Sequence, residues 1–172
     1  MTPRFFGYGS LVNLTTHDYP NPQRLRVAGW RRAWRHTPLQ PAAFLTAVPD
    51  PGSVIDGIMA DVPADDWAAL DQRESGYIRS PVAEGAQIYH IPHDLHGPAT
   101  QACTILLSYL DVVVQGYLRE FGTDGVAAFF ETTDGWDTPI HDDRTAPLYP
   151  RARTLSPEEL ALVDRQLARV RS

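Results

Sequence analysis

The stretch Phe5-Phe6-Gly7-Tyr8-Gly9-Ser10-Leu11 opens with an apolar pair and breaks at once into a glycine-flanked turn, so it reads as a buried strand running into a loop. Glycines on both sides of Tyr8 let the main chain be approached closely, and Ser10 adds an N–H and a hydroxyl. A loop of this composition can hold an anion or a substrate oxygen. It lacks the third glycine of a dinucleotide fingerprint and the Gly-Lys-Ser/Thr of a phosphate loop, so neither nucleotide reading is supported. An ordinary turn is the plain alternative.

The next informative stretch is Leu70-Asp71-Gln72-Arg73-Glu74-Ser75-Gly76-Tyr77. On a helix over residues 64–74, Trp67, Leu70 and Glu74 fall at spacings of three and four, which places a carboxyl on an apolar stripe and turns Asp65, Asp66, Gln72 and Arg73 elsewhere. Desolvation on such a stripe disfavours the carboxylate and raises its pKa toward that of a useful general base. Glu74 can equally be the last residue of a frayed helix, turned to solvent or paired with Arg73 or Arg79; the pattern leaves both open.

Outward from these segments, residues 25–34 alternate as a half-buried strand, with the arginines between Arg24 and Arg35 expected on its outer face. Residues 42–48 and 54–62 read as a hairpin across Pro49-Asp50-Pro51-Gly52, and residues 81–91 and 101–107 as a second pair. With the first strand this makes about six, enough for a small barrel or strongly curled sheet. Residues 108–121 carry a helical stripe that Gly122 stops, and Asp124 opens a short helix through Phe130. Ser156-Pro157-Glu158-Glu159 is a capping box before a last helix that docks through Leu160, Val163, Leu167 and Val170, with Leu155 stapling it to Leu160. Residues 132–153 read as a long ordered loop. The expected architecture is one α+β domain over residues 1–172, a small mixed β-barrel or curled sheet flanked by three to four helices.

Composition narrows the function classes. A net charge of −6 is wrong for a polyanion-binding protein, so nucleic acid is not expected as a partner. No apolar run is long enough to span a bilayer and no basic-then-apolar leader precedes the first strand, so neither membrane nor export is expected. A single cysteine offers no disulfide framework, which fits a reducing cytoplasm. Cys103 reads as a small core residue, mid-strand with no activating neighbour in sequence. His90, His93 and His96, with Asp94, invite a metal reading, yet Pro92 and Gly97-Pro98 deny them a helix and favour a solvated hairpin loop; His141-Asp142-Asp143 is read the same way.

Taken together, Tyr8-Gly9-Ser10-Leu11, the Leu70-Asp71 pair leading to Glu74-x-Gly76-Tyr77, the Tyr109-Leu110-x-x-Val113-x-x-Gly116 pattern and Gly29-Trp30-Arg31-Arg32 resemble, in order, the γ-glutamylcyclotransferase-like family. The last block is similar to the glutathione-degrading branch. The resemblance implies a cofactor-independent, metal-free enzyme that releases 5-oxoproline from a γ-glutamyl peptide, amino acid or amine, with Glu74 as general base and acid. It implies a substrate pocket lined by Tyr8, Gly9, Ser10, Leu11 and Tyr109. The family often has Pro-Ser a few residues before its tyrosine, whereas here Ser108 precedes Tyr109 directly. Tyr8 and Tyr109 also read as core aromatics, and a non-catalytic small-molecule binding module using the same pocket is the alternative function.

Overall fold

The computed structural model describes residues 2–38, 41–64, 66–98 and 103–172; Asp65 of the first expected helix and Gln101 and Ala102 of the second expected strand pair lie outside them. The chain forms β1 (Arg4–Gly7), β2 (Gln23–His36), β3 (Phe44–Asp61), α1 (Trp67–Arg73), β4 (Ile78–Pro81), β5 (Ala86–His90), β6 (Gly97–Pro98), β7 (Ile105–Leu106), α2 (Leu107–Glu131), β8 (Thr133–Asp134), β9 (Ile140–His141) and α3 (Pro157–Arg171). Among the described residues, a mixed seven-stranded sheet runs in the order β4-β5-β1-β3-β2-β6, with β8 also on β2, and β7 and β9 pair separately. It is a curled sheet flanked by helices, as the sequence predicts, with more short strands than expected.

β1 is central, antiparallel to β3 and parallel to β5, so both of its edges are paired. Phe6 enters the main core with Ile58, Ile88, Val113, Tyr117 and Phe129. Phe5, one residue back, points to the opposite face and packs with Leu11, Ala60, Leu70 and Tyr89 under α1. That is why two consecutive phenylalanines are both fully buried.

The two pairings expected from turn chemistry are not those observed. Residues 42–48 and 54–62 do not form a hairpin with each other: they belong to β3, and both halves pair with β2, Arg35 opposite Phe44 at one end and Gln23 opposite Met59 at the other. The Asp50 turn is real, its carboxylate accepting the Gly52 N–H at 3.1 Å and the Ser53 hydroxyl at 2.8 Å, but it forms an irregularity opposite Gly29 rather than a reversal. Gly29 takes a φ of 87°, which a side chain resists, and the shift there inverts the inside–outside alternation of β2. Before it Val27 points inward and Arg26 out; after it Arg32 and Trp34 are buried. The arginine cluster is therefore not all on the outer face. β5 pairs with β1 and β4, and β7 with β9, so the second expected pair is also replaced.

The helices follow their local signals. α2 runs through two helical segments broken at Gly122, whose φ is 72°. Asp143 caps its first turn from a distance, accepting the Ser108 N–H at 2.8 Å and the Ser108 hydroxyl at 2.5 Å. α3 carries the complete capping box, Ser156 Oγ accepting from Glu159 N and Glu159 Oε1 from Ser156 N. Among the described residues no helix is long and apolar enough to cross a membrane.

Candidate active site

A recess opens where β1 runs out. Beyond Gly7 the neighbouring strands are tied by side chains instead of by a strand between them: the Tyr8 hydroxyl donates to Tyr89 O at 2.6 Å and accepts the Ala47 N–H at 3.1 Å, and Thr46 Oγ1 accepts the Ile91 N–H at 3.0 Å. The chain then turns through two short 3-10 segments, Ser10–Val12 and Leu14–Thr16. Asn13 fixes the bend: its amide donates to Val112 O at 2.9 Å and Gln115 Oε1 at 3.0 Å on α2, and its own side-chain oxygen accepts from Thr15. α2 can come this close because residue 116 is glycine; a Cβ there would lie 2.6 Å from Asn13 N and 2.8 Å from Asn13 Cα. Arg32 holds the loop from below, donating from Nε to Tyr8 O at 2.9 Å and from Nη2 to Asp56 O at 2.7 Å, with its guanidinium between the Tyr117 and Phe129 rings.

Glu74 stands at the C-terminus of α1, its N–H closing the last turn on Leu70 O at 2.9 Å and its carbonyl accepting the Tyr77 N–H at 3.0 Å. Gly76, with a φ of 92°, makes this turn, which carries Tyr77 back into the recess, where its hydroxyl donates to Leu45 O at 2.8 Å. The Glu74 side chain is 17% exposed, and Arg73 Nε lies 3.8 Å from its Oε1. Burial raises the Glu74 pKa; the positive charges of Arg73 and Arg151 offset part of that rise. Arg79, the other partner considered for it, pairs with Asp71 at 3.2 Å and covers the Trp67 ring instead.

Tyr8, Gly9, Ser10, Leu11, Glu74 and Tyr109 all line one inner recess of about 30 Å³, together with Leu45, Tyr77 and Tyr89. Tyr109 closes it from α2: a Cβ on Gly9 would lie 2.9 Å from the Tyr109 hydroxyl, and the Ser10 main-chain N–H faces that oxygen. Burial, first among the causes, raises the pKa of Tyr8, Tyr77, Tyr89 and Tyr109, so these phenols are proton donors at neutral pH while Glu74 alone among them can act as a base. The recess widens into an outer chamber of about 310 Å³ bounded by Glu74, Tyr109, Phe44, Tyr149, Arg73 and Arg151.

Arg73 and Arg151 are the functional candidates that sequence reading missed. The helical wheel turns Arg73 away from Glu74, yet its side chain is 8% exposed and donates to Thr16 O at 3.0 Å and Ser10 Oγ at 3.3 Å, because the 13–16 turn folds over it. Arg151 comes from the expected long loop and carries no local signal. The histidines do not converge: His90 bonds Ser80 Oγ at 2.8 Å and packs on Trp30, while His93 and His96 meet edge to face. Among the described residues no group of three or more His, Cys, Asp or Glu side chains is placed to hold a metal ion. Cys103 is buried outside any strand, with His36 Nδ1 2.5 Å from its sulfur, and burial raises its pKa. It thus has in space the histidine neighbour it lacks in sequence, but lies away from the recess.

No protein-family model matches the sequence, and no curated protein does. Solved structures do. YkqA from Bacillus subtilis is similar over 81% of this chain with a TM-score of 0.61 and 15% identity, and the chain spans 56% of its length. A protein described as a gamma-glutamyl cyclotransferase matches over 96% of this chain and 99% of its own, with a TM-score of 0.54 and 13% identity. An uncharacterized protein from Homo sapiens, loc79017, matches over 95% and 98%, with a TM-score of 0.53 and 14% identity. At these identities the likeness shows the fold: a γ-glutamylcyclotransferase-like curled sheet with flanking helices.

Proposed function

We propose that the protein is a γ-glutamylcyclotransferase. The substrate brings its own nucleophile: the α-amine closes on the γ-carbonyl, forming the C–N bond of 5-oxoproline, while the original amide C–N bond breaks and releases an amine. Holding amine and carbonyl in attack geometry is worth about 7–11 kcal/mol of the barrier, and no protein nucleophile is required. The remaining work is proton transfer. Glu74 relays to the leaving nitrogen, one after the other, the two protons that the attacking ammonium sheds as it becomes the lactam N–H, so the amine departs as an ammonium and no net proton or electron is consumed. The main-chain N–H groups of Gly9, Ser10 and Leu11 receive substrate oxygens, and Tyr109 covers them from above.

The observation that carries this reading is the meeting, in one recess, of a buried carboxyl of raised pKa with the glycine-flanked loop. The decisive test is a panel of γ-glutamyl compounds, namely glutathione, a γ-glutamyl amino acid and a γ-glutamylamine, each assayed for 5-oxoproline. Release from at least one, abolished in Glu74→Gln, is the expected result; binding without release would make the recess a recognition site instead.

A further inference from the structure

The outer chamber separates its two arginines by how much of each is already used. The Arg73 guanidinium is committed to Thr16 O, Thr16 Oγ1 and Ser10 Oγ. Arg151 also lines the chamber, and among the described residues no hydrogen bond or ion pair engages its side chain; only its carbonyl is used, by Arg153.

The main chain that carries Arg151 is nevertheless fixed. Leu148 N donates to Asp143 Oδ2 at 2.8 Å, the Tyr149 ring meets Tyr109 edge-on at 5.0 Å, and Arg153 donates to Thr15 O at 2.8 Å. A strap tied on both sides thus presents a guanidinium with its donors unspent at the wall of a half-enclosed cavity. That group suits a carboxylate, which it can grip with two parallel hydrogen bonds. One side of the wall, formed by Ala42, Ala43, Phe44, Leu106 and Leu148, is apolar and accommodates a short aliphatic side chain.

We propose, resting on the cyclotransferase reading, that Arg151 receives a carboxylate on the leaving side of the substrate and so selects γ-glutamyl amino acids or peptides over γ-glutamylamines. The orientation follows from proton transfer. The leaving nitrogen must sit at Glu74, the γ-glutamyl half turns inward to the 8–11 loop, and whatever lies beyond the nitrogen points into the chamber toward Arg151.

The test compares γ-glutamylglycine with γ-glutamylglycinamide, which match in size and differ in terminal charge. For the wild type we expect kcat/KM to favour the acid by about 10- to 100-fold, the usual range for a charge-assisted hydrogen bond in a partly enclosed site, chiefly through KM. Arg151→Gln should erase that ratio and Arg151→Lys should keep part of it. A wild-type ratio near one, or an equal loss on both substrates in Arg151→Gln, overturns the proposal. Calorimetry on the Glu74→Gln protein keeps it separate from the cyclisation itself. If nothing yields 5-oxoproline, the cyclotransferase reading fails. Tighter binding of the acid than the amide, lost when Arg151→Gln is added, would then still uphold the carboxylate site, and equal binding would overturn it.

Discussion

Replacing Glu74 by Gln keeps the shape of the side chain and its ability to hydrogen-bond but removes the proton-accepting group. How much this costs is set by what else in the recess could take a proton. The other titratable groups lining it are Tyr8, Tyr77, Tyr89 and Tyr109, all driven by burial toward their neutral forms. With no substitute acceptor, kcat should fall by at least about 100-fold, equivalent to about 2.7 kcal/mol of barrier, while binding of a γ-glutamyl compound persists. The pH behaviour has a definite sign. A carboxyl whose folded pKa is raised above its ordinary value of 4.5 destabilises the fold once it must ionise, so this contribution is absent at low pH and grows as pH rises through the folded value. Glu74→Gln should therefore melt at the same temperature or higher than wild type at pH 7, and with no difference near pH 4. Wild-type kcat/KM should decline as pH drops through that same raised pKa. Single-turnover 5-oxoproline release and thermal melts across pH check both halves; unchanged turnover in the Gln variant, or a folded state lost in it, would refute the assignment of Glu74 as the proton carrier.

Ser10→Ala removes only a weak acceptor for Arg73, whereas Gly9→Val drives a branched side chain at the Tyr109 hydroxyl, 2.9 Å from where its Cβ must lie. The valine variant should lose about tenfold or more in kcat/KM, corresponding to 1–2 kcal/mol of displacement, and the alanine variant far less. Gly116→Ala puts a methyl against the Asn13 main chain and should cost about 1–3 kcal/mol in urea unfolding, with a loss of turnover because α2 and the loop are forced apart. Arg32→Met removes the guanidinium donors to Tyr8 O and Asp56 O and leaves the Tyr117 hydroxyl as the side-chain donor between them, which should cost about 1–3 kcal/mol in the same unfolding measurement.

What the sequence makes legible here is what is decided locally. The capping box at Ser156, the break at Gly122 and the strand-to-loop change at Gly7 depend on neighbours a few residues away, and each is found where composition points. The Glu74 stripe held for the same reason, since Leu70 and Glu74 are one helical turn apart and both turn inward. What failed was decided across the fold. Pro49-Asp50-Pro51-Gly52 carries turn chemistry, but a long β2 was available to pair on both sides of it, and continuing the ladder won over reversing the chain. Alternation alone turns Arg32 outward because it assumes an unbroken pleat, and the positive φ of Gly29 resets that parity. Arg73 and Arg151 reach the chamber only because two loops close over it, and neither closure has a signature in adjacent residues.

The seam between Gly116 and Asn13 also sets a timetable. Asn13 reaches its partner Val112 across 99 positions of chain, so during synthesis the loop after β1 is finished long before the helix that clamps it exists. Chains emerge at about 5–20 residues per second, which leaves this N-terminal segment waiting for some seconds with Phe6 and its glycine turn uncovered. Until residue 116 has left the ribosome the recess lacks its lid on one side, and until residue 151 has followed, the outer chamber lacks the side formed by Leu148 to Arg151. A nascent chain stalled between those two points would leave the apolar side of this cleft open to water, the kind of exposure that makes partly formed chains prone to aggregate.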